Sequence, residues 1–154
     1  IVDGYHGDSA FTMGVGAISD EAKNLIEATS NALTKGIAEV KSGIRVGDIS
    51  YAIQSYSERL GYSVVKQYVG HGIGQALHEE PQIPNYGKRG LGPVLMAGMV
   101  IAIEPMLNIG RSDTKLLDDG WTVSTADGSL SAHFEETVAI TPFGSEILTQ
   151  VKEV

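Results

Sequence analysis

Met99-Val100-Ile101-Ala102-Ile103-Glu104-Pro105 is the stretch on which the reading of this chain turns. Five apolar residues in a row suit a strand buried on both faces. The run ends in an acid, and Pro105, which has no N–H, stops the pairing behind it. Alternation puts Ala102 and Glu104 on one face. Downstream, Trp121 to Thr125 and His133 to Ile140 read as two antiparallel strands around the Asp127-Gly128 turn. Upstream, Val64-Val65 and Tyr68-Val69 read as short strands. Gly70 to Gly74 is glycine-rich around a single His, and Pro81 to Pro93 is punctuated as a loop.

Further towards the N-terminus the apolar period lengthens. Ser19 offers an N-cap, with Asp20 and Glu21 in a favourable first turn. Ala22, Leu25, Ile26, Thr29, Ala32, Leu33, Ile37 and Val40 follow at helical spacing, so a helix is expected to end near Ser42-Gly43. Asp48 is expected to cap a second helix carrying Ile49, Ala52, Ile53, Tyr56 and Leu60, with Gly61 as its stop. Before the helices, Tyr5 to Gly14 reads as a strand with Phe11 and Met13 inward. Asp3-Gly4 is a type I′ hairpin signal, and such a turn needs a strand before it. Ile1 and Val2 alone precede it, so a missing upstream segment is expected. A hairpin remnant, two helices and then mostly strands make an α+β order. No repeat or linker divides it, and residues 1–154 read as part of one domain.

Composition narrows the function. Of 154 residues, 42% are apolar, which is enough for a core at this length. No run of about 18 apolar residues is present, so no membrane helix is expected. Cys is absent, which removes disulfides and thiolate metal sites and suits a reducing cytoplasm. The net charge is −8, a poor match to a phosphate backbone, so no nucleic acid partner is expected.

Four polar residues carry chemistry. Glu104 closes its buried run. Glu135 and Glu136 are adjacent in Phe134-Glu135-Glu136-Thr137, so one of them faces inward, and the pattern leaves open which. Asp8, in His6-Gly7-Asp8-Ser9, sits where strand propensity disfavours it. His71 lies between glycines that leave its imidazole unobstructed. Each has a plain alternative: Glu104 a solvated strand end, the Glu135 pair a charged edge, Asp8 an exposed bulge, His71 a polar loop residue. Together they offer three carboxylates and one imidazole, a donor set for Mn(II), Fe(II), Co(II) or Zn(II). Carboxylates also bridge ion pairs that share and activate a water. His78 is near enough in sequence to His71 to reach a substrate carbonyl or developing oxyanion. Glu104 is the carboxylate best suited to shuttle a proton to a leaving amine.

Asp3-Gly4-Tyr5-His6-Gly7-Asp8-Ser9, Gly70-His71-Gly72-Ile73-Gly74, Leu77-His78-Glu79-Glu80-Pro81, Ile103-Glu104-Pro105-Met106, Asp119-Gly120-Trp121 and Ser131-Ala132-His133-Phe134-Glu135-Glu136-Thr137 strongly resemble type I methionine aminopeptidases. The similarity runs the length of the chain in the family's order. It implies the pita-bread (creatinase/aminopeptidase) fold, here as a C-terminal portion without the N-terminal strands and helices. It implies hydrolysis of the initiator Met from nascent polypeptides at a site with two divalent ions, Co, Mn, Fe or Zn. It also implies a cytoplasmic setting, no membrane, and transient association with the ribosome. By this resemblance Asp8 and Glu135 look like bridging ligands, and His71 and Glu104 like ligands of one ion. His78 looks like the substrate-contacting His, and Leu77 and Trp121 resemble pocket residues. The resemblance selects Glu135 over Glu136. The family's fifth ligand, an Asp on the strand before the hairpin, falls outside residues 1–154, so this stretch by itself is expected to hold one ion well at most. An Xaa-Pro aminopeptidase, or a non-catalytic pita-bread binding module, is the alternative.

Overall fold

A computed structural model describes residues 1–150. Helix α1 spans Asp20–Ala38 and α2 spans Val46–Arg59. The strands are β1 Ser63–Val64, β2 Gly70–Gly72, β3 Glu79–Ile83, β4 Val100–Ile103, β5 Met106–Asn108, β6 Thr114–Leu116, β7 Val123–Thr125, β8 Ser131–His133, β9 Glu136–Thr141 and β10 Gly144–Ile147. A five-stranded sheet has the order β10-β9-β4-β2-β3, with every pairing antiparallel. A second sheet is β1-β5-β8, and β6-β7 is a separate ribbon. The described residues form the α+β, pita-bread architecture, and none of their helices is long and apolar enough to cross a membrane.

The helices behave largely as their sequence dictates. The Ser19 hydroxyl accepts the Ala22 N–H, a cap that contributes about 1 kcal/mol. Leu25, Ala32 and Leu33 of α1 meet Ile49 and Ile53 of α2, and the same core continues into Ile83, Ile101, Ile103, Leu107 and Val138. α1 ends at Ala38, earlier than Ser42, because the chain turns at Glu39 and Val40. α2 begins before Asp48: Arg45 is the cap, and the Asp48 carboxylate reaches back to its N–H at 3.0 Å. Leu60 is 50% exposed and lies past the last helical turn, while Gly61 takes the positive φ of +87° that ends it. At the N-terminus, Asp3 and Gly4 have φ of 50° and 84°, and Val2 and Tyr5 exchange two bonds of 2.9 Å, the expected hairpin turn.

Other expectations are corrected. Tyr5 to Gly14 is not a regular strand; it is tied to the rest by the Ala10–Glu135 bridge and by side chains. Phe11 and Met13 are 73% and 64% exposed, so their face is the outer one and Asp8, Ala10 and Thr12 face inward. Tyr68-Val69 is no strand; the glycine-rich segment after it is, as β2. Glycine there reflects close approach: a Cβ on Gly70 would lie 2.3 Å from the Ala102 carbonyl oxygen, and one on Gly72 would lie 2.2 Å from that of Glu80. β3 occupies the first residues of the expected loop. The strands either side of Asp127-Gly128 do not pair with each other. β7 pairs with β6, β8 with β5, and β9 with β4 and β10, because apolar β9 completes the buried sheet while polar β7 curls off as a ribbon.

Candidate metal centre

The site assembles where β2, β4 and the β8–β9 segment meet the N-terminal segment. His71 in β2 stands opposite Ala102 in β4, and Glu104 follows two residues later. Ala102 in turn pairs with Thr137 of β9. Residues 8 to 12 run antiparallel to 133–137. Ala10 and Glu135 exchange backbone bonds of 3.2 and 2.8 Å. The Thr137 hydroxyl accepts from Asp8 N–H at 2.9 Å and donates to the Asp8 carbonyl at 2.7 Å. The Thr12 hydroxyl does the same for His133, at 2.9 and 2.8 Å.

These links bring one donor atom each from Asp8, His71 and Glu135 within 4.8 Å of one another. Glu104 abuts the group, its Oε1 lying 3.6 Å from His71 Nε2. The His71 Nδ1 lies 2.9 Å from the Gly72 carbonyl oxygen. A carbonyl only accepts, so this contact puts the proton on Nδ1 and leaves the Nε2 lone pair facing the carboxylates. Asn85, fully buried, donates from Nδ2 to the Glu104 carbonyl at 3.1 Å and fixes the backbone where β4 ends.

Electrostatics show that the carboxylates are crowded. Burial, with Glu135 and Asp8 adding their charge, pushes Glu104 up to about 8. Burial, then Asp8 and Glu136, pushes Glu135 up to about 7. Glu135 Oε1 is buried with no hydrogen-bond partner. An orphaned buried oxygen amid repelling carboxylates and a free imidazole lone pair is a donor set that fits a divalent cation. The single inward acid of the adjacent pair is Glu135, 6% exposed, while Glu136 bonds the Thr149 hydroxyl.

The remaining candidates are placed less uniformly. His78 is exposed, but its ring packs edge-on against His71 with centroids 4.4 Å apart, at the rim of the donor group. Leu77, beside it, is 39% exposed. Trp121 stands 87% exposed on the turn of the β6–β7 ribbon, where the Asp119 carboxylate accepts from the Trp121 and Thr122 N–H groups. The base of that ribbon, at Thr114 and Val123, joins Val65, Tyr68, Glu104 and His133 around a cavity of about 360 Å3. His133 was not among the expected site residues. Its Nε2 is buried without a partner, 3.9 Å from Glu104 Oε2. Burial lowers its pKa, against the pull of Asp8. The signal available in sequence was its position two residues before Glu135, on the same face of an extended segment.

Comparison with known proteins follows the same lines. The profile of metallopeptidase family M24 matches residues 1–142. The methionine aminopeptidase of Clostridium perfringens is 57% identical over 151 residues, 98% of this chain and 61% of that protein. Methionine aminopeptidase 1 of Bacillus subtilis is 57% identical over 97% of the chain and 60% of its own length. The chain therefore spans about 60% of the length of these relatives. The crystal structure of methionine aminopeptidase from Rickettsia prowazekii superposes with a TM-score of 0.95 at 50% identity, covering 97% of this chain and 61% of that one. The prolidase from Pyrococcus horikoshii superposes with 0.73 at 25% identity, over 97% and 38%.

Proposed function

From the premise that this chain belongs to metallopeptidase family M24, which implies a divalent-metal cofactor, we propose that the protein is a methionine aminopeptidase acting on the N-termini of nascent polypeptides. The observation that carries this reading is the convergence of Asp8, His71 and Glu135, with Glu104 against them, in a chain 57% identical to two proteins of that name. The prolidase-like alternative has weaker support, at 25% identity. Residues 1–154 are proposed to form part of a single catalytic domain.

Asp8, His71, Glu104 and Glu135 would hold the metal together with a ligand from outside residues 1–154, the full-length site being proposed to take a pair of Co, Mn, Fe or Zn ions. The bound metal would supply Lewis acidity and acidify a water at neutral pH. The chain's own residues do the rest. Glu104, its carboxylate against the other donors, would take a proton from water and return it to the leaving amine. His78, at the open rim, donates to the scissile carbonyl oxygen as negative charge develops there. Leu77 and Trp121 are proposed to contact the Met side chain. A cytoplasmic location and transient ribosome association go with this activity.

The test is hydrolysis of a Met-Gly-type peptide by the full-length protein with added Co(II) or Mn(II), before and after chelation. Turnover that chelator abolishes is expected; absence of turnover under every metal sinks the reading. Glu104→Gln, assayed for metal content, separates enzyme from binding module. An enzyme should lose metal affinity by about 100-fold or more, beyond the roughly 10–100-fold typical of an outer partner.

A further inference from the structure

We propose that Thr137 is a positioning residue whose hydroxyl sets Asp8 for ion binding. This rests on the metal-centre reading above. Asp8 lies on a segment with no regular strand pairing, so no ladder fixes its backbone. The segment is held at discrete points: His6 N–H to the Gly74 carbonyl at 2.8 Å, Asp8 to Thr137, Ala10 to Glu135, and Thr12 to His133. At Asp8 the tether is a side chain. One hydroxyl accepts the Asp8 N–H and donates to the Asp8 carbonyl, replacing the pair of ladder bonds that two strands would exchange.

Thr137 is itself held firmly. It is 1% exposed, paired in register with Ala102, and its N–H donates to the Thr149 hydroxyl at 3.0 Å. Its β-branched side chain has few rotamers, so the hydroxyl is a fixed point on the sheet. Glu135 shares its face two residues earlier. The same extended segment, at the entry to β9, thus presents one donor directly and places another through the hydroxyl two residues on. Without that hydroxyl, Asp8 N–H and carbonyl would be left in a part-buried site without these bonds. Relaxation of the segment would carry the Asp8 carboxylate away from His71 and Glu135.

The experiment is Mn(II) titration calorimetry on the full-length protein, paired with thermal unfolding of each metal-free form. T137V keeps shape and removes the hydroxyl, T137S keeps the hydroxyl, and T29V removes a buried hydroxyl bond to the Leu25 carbonyl within α1, a helix that contributes none of the donors. T137V should weaken Mn(II) binding by about 10–100-fold, the range for a residue that orients a ligand. T137S should stay within about 3-fold of the parent, and T29V should leave affinity unchanged. T137V binding Mn(II) as tightly as the parent overturns the proposal, as does T137S failing to rescue. If T137V does not fold, T137A in the same titration decides between these outcomes. A parent protein that binds no Mn(II) overturns the metal-centre reading itself, a result distinct from loss of the Thr137 effect alone.

Discussion

At the scale of single residues, chemistry was legible and orientation was not. Glu104 stood out because an acid ended a buried run, and the structure sets it against His71. The choice between Glu135 and Glu136 could not come from alternation, since both faces of that strand carry apolar residues. Burial decides it: Glu135 faces the donors while Glu136 turns to Thr149. For His133 the one sequence signal is its shared face with Glu135, which is weak because a lone His in a strand is usually an ordinary polar residue. A residue away from the site gives a sharp pH prediction. The Asp127 carboxylate accepts from the Arg111 N–H at 2.7 Å and from Ser129, which holds its pKa down to about 2 from an ordinary 3.8. A depressed carboxyl contributes stability that is whole above about pH 4 and disappears as pH falls towards 2. Asp127→Ala should therefore lower the melting temperature at pH 7 and flatten the acid side of the stability curve between those values. Calorimetric unfolding at stepped pH measures it, and an unchanged acid slope contradicts it.

At the scale of elements, the helices were readable because their period and caps are local. The strands were less so, because partners are chosen by long-range packing. Val123–Thr125 was expected beside His133–Ile140, yet it pairs with Thr114–Leu116. Their composition separates apolar β9 from polar β7, but the partner of each is set only when the sheet packs. The glycine-rich β2 reads as loop by composition, and only the approach of β3 and β4 shows why it must be bare. That approach gives a prediction. Gly72→Ala places a methyl 2.2 Å from the Glu80 carbonyl oxygen, which is backbone and cannot swing aside. The β2–β3 pair would have to separate. The cost should be about 3 kcal/mol or more, the range of overpacking at the severe end. Chemical denaturation reads it, and a change under about 1 kcal/mol refutes the close-approach account. His71 sits next to Gly72, so metal affinity should fall in parallel.

At the scale of the whole molecule, the family and its α+β architecture were legible because several motifs occur in register, and the identity of relatives and the superposed structures agree. The three crowded carboxylates work against the metal-free fold, since burial raises two of them well above their ordinary range. A cation reverses that repulsion. At an ion concentration of 100 times Kd, binding to the native state alone adds about 2.7 kcal/mol. For a chain of this size that corresponds to a melting-temperature rise of roughly 5–10 °C. Scanning calorimetry of the full-length protein with Mn(II), and again after chelation, should show the rise and its reversal. An identical transition in both states is incompatible with the ion binding here.

The clasp between Asp8 and Thr137 joins residues 129 positions apart. Closing a loop of that length costs roughly 4 kcal/mol of chain entropy before any constant term. Contacts of such separation also slow folding. During synthesis the donor group remains divided until the C-terminal strands have formed. Asp8 and Glu135 thus come together late, and a chain interrupted before β9 lacks the hydroxyl that ties Asp8 down.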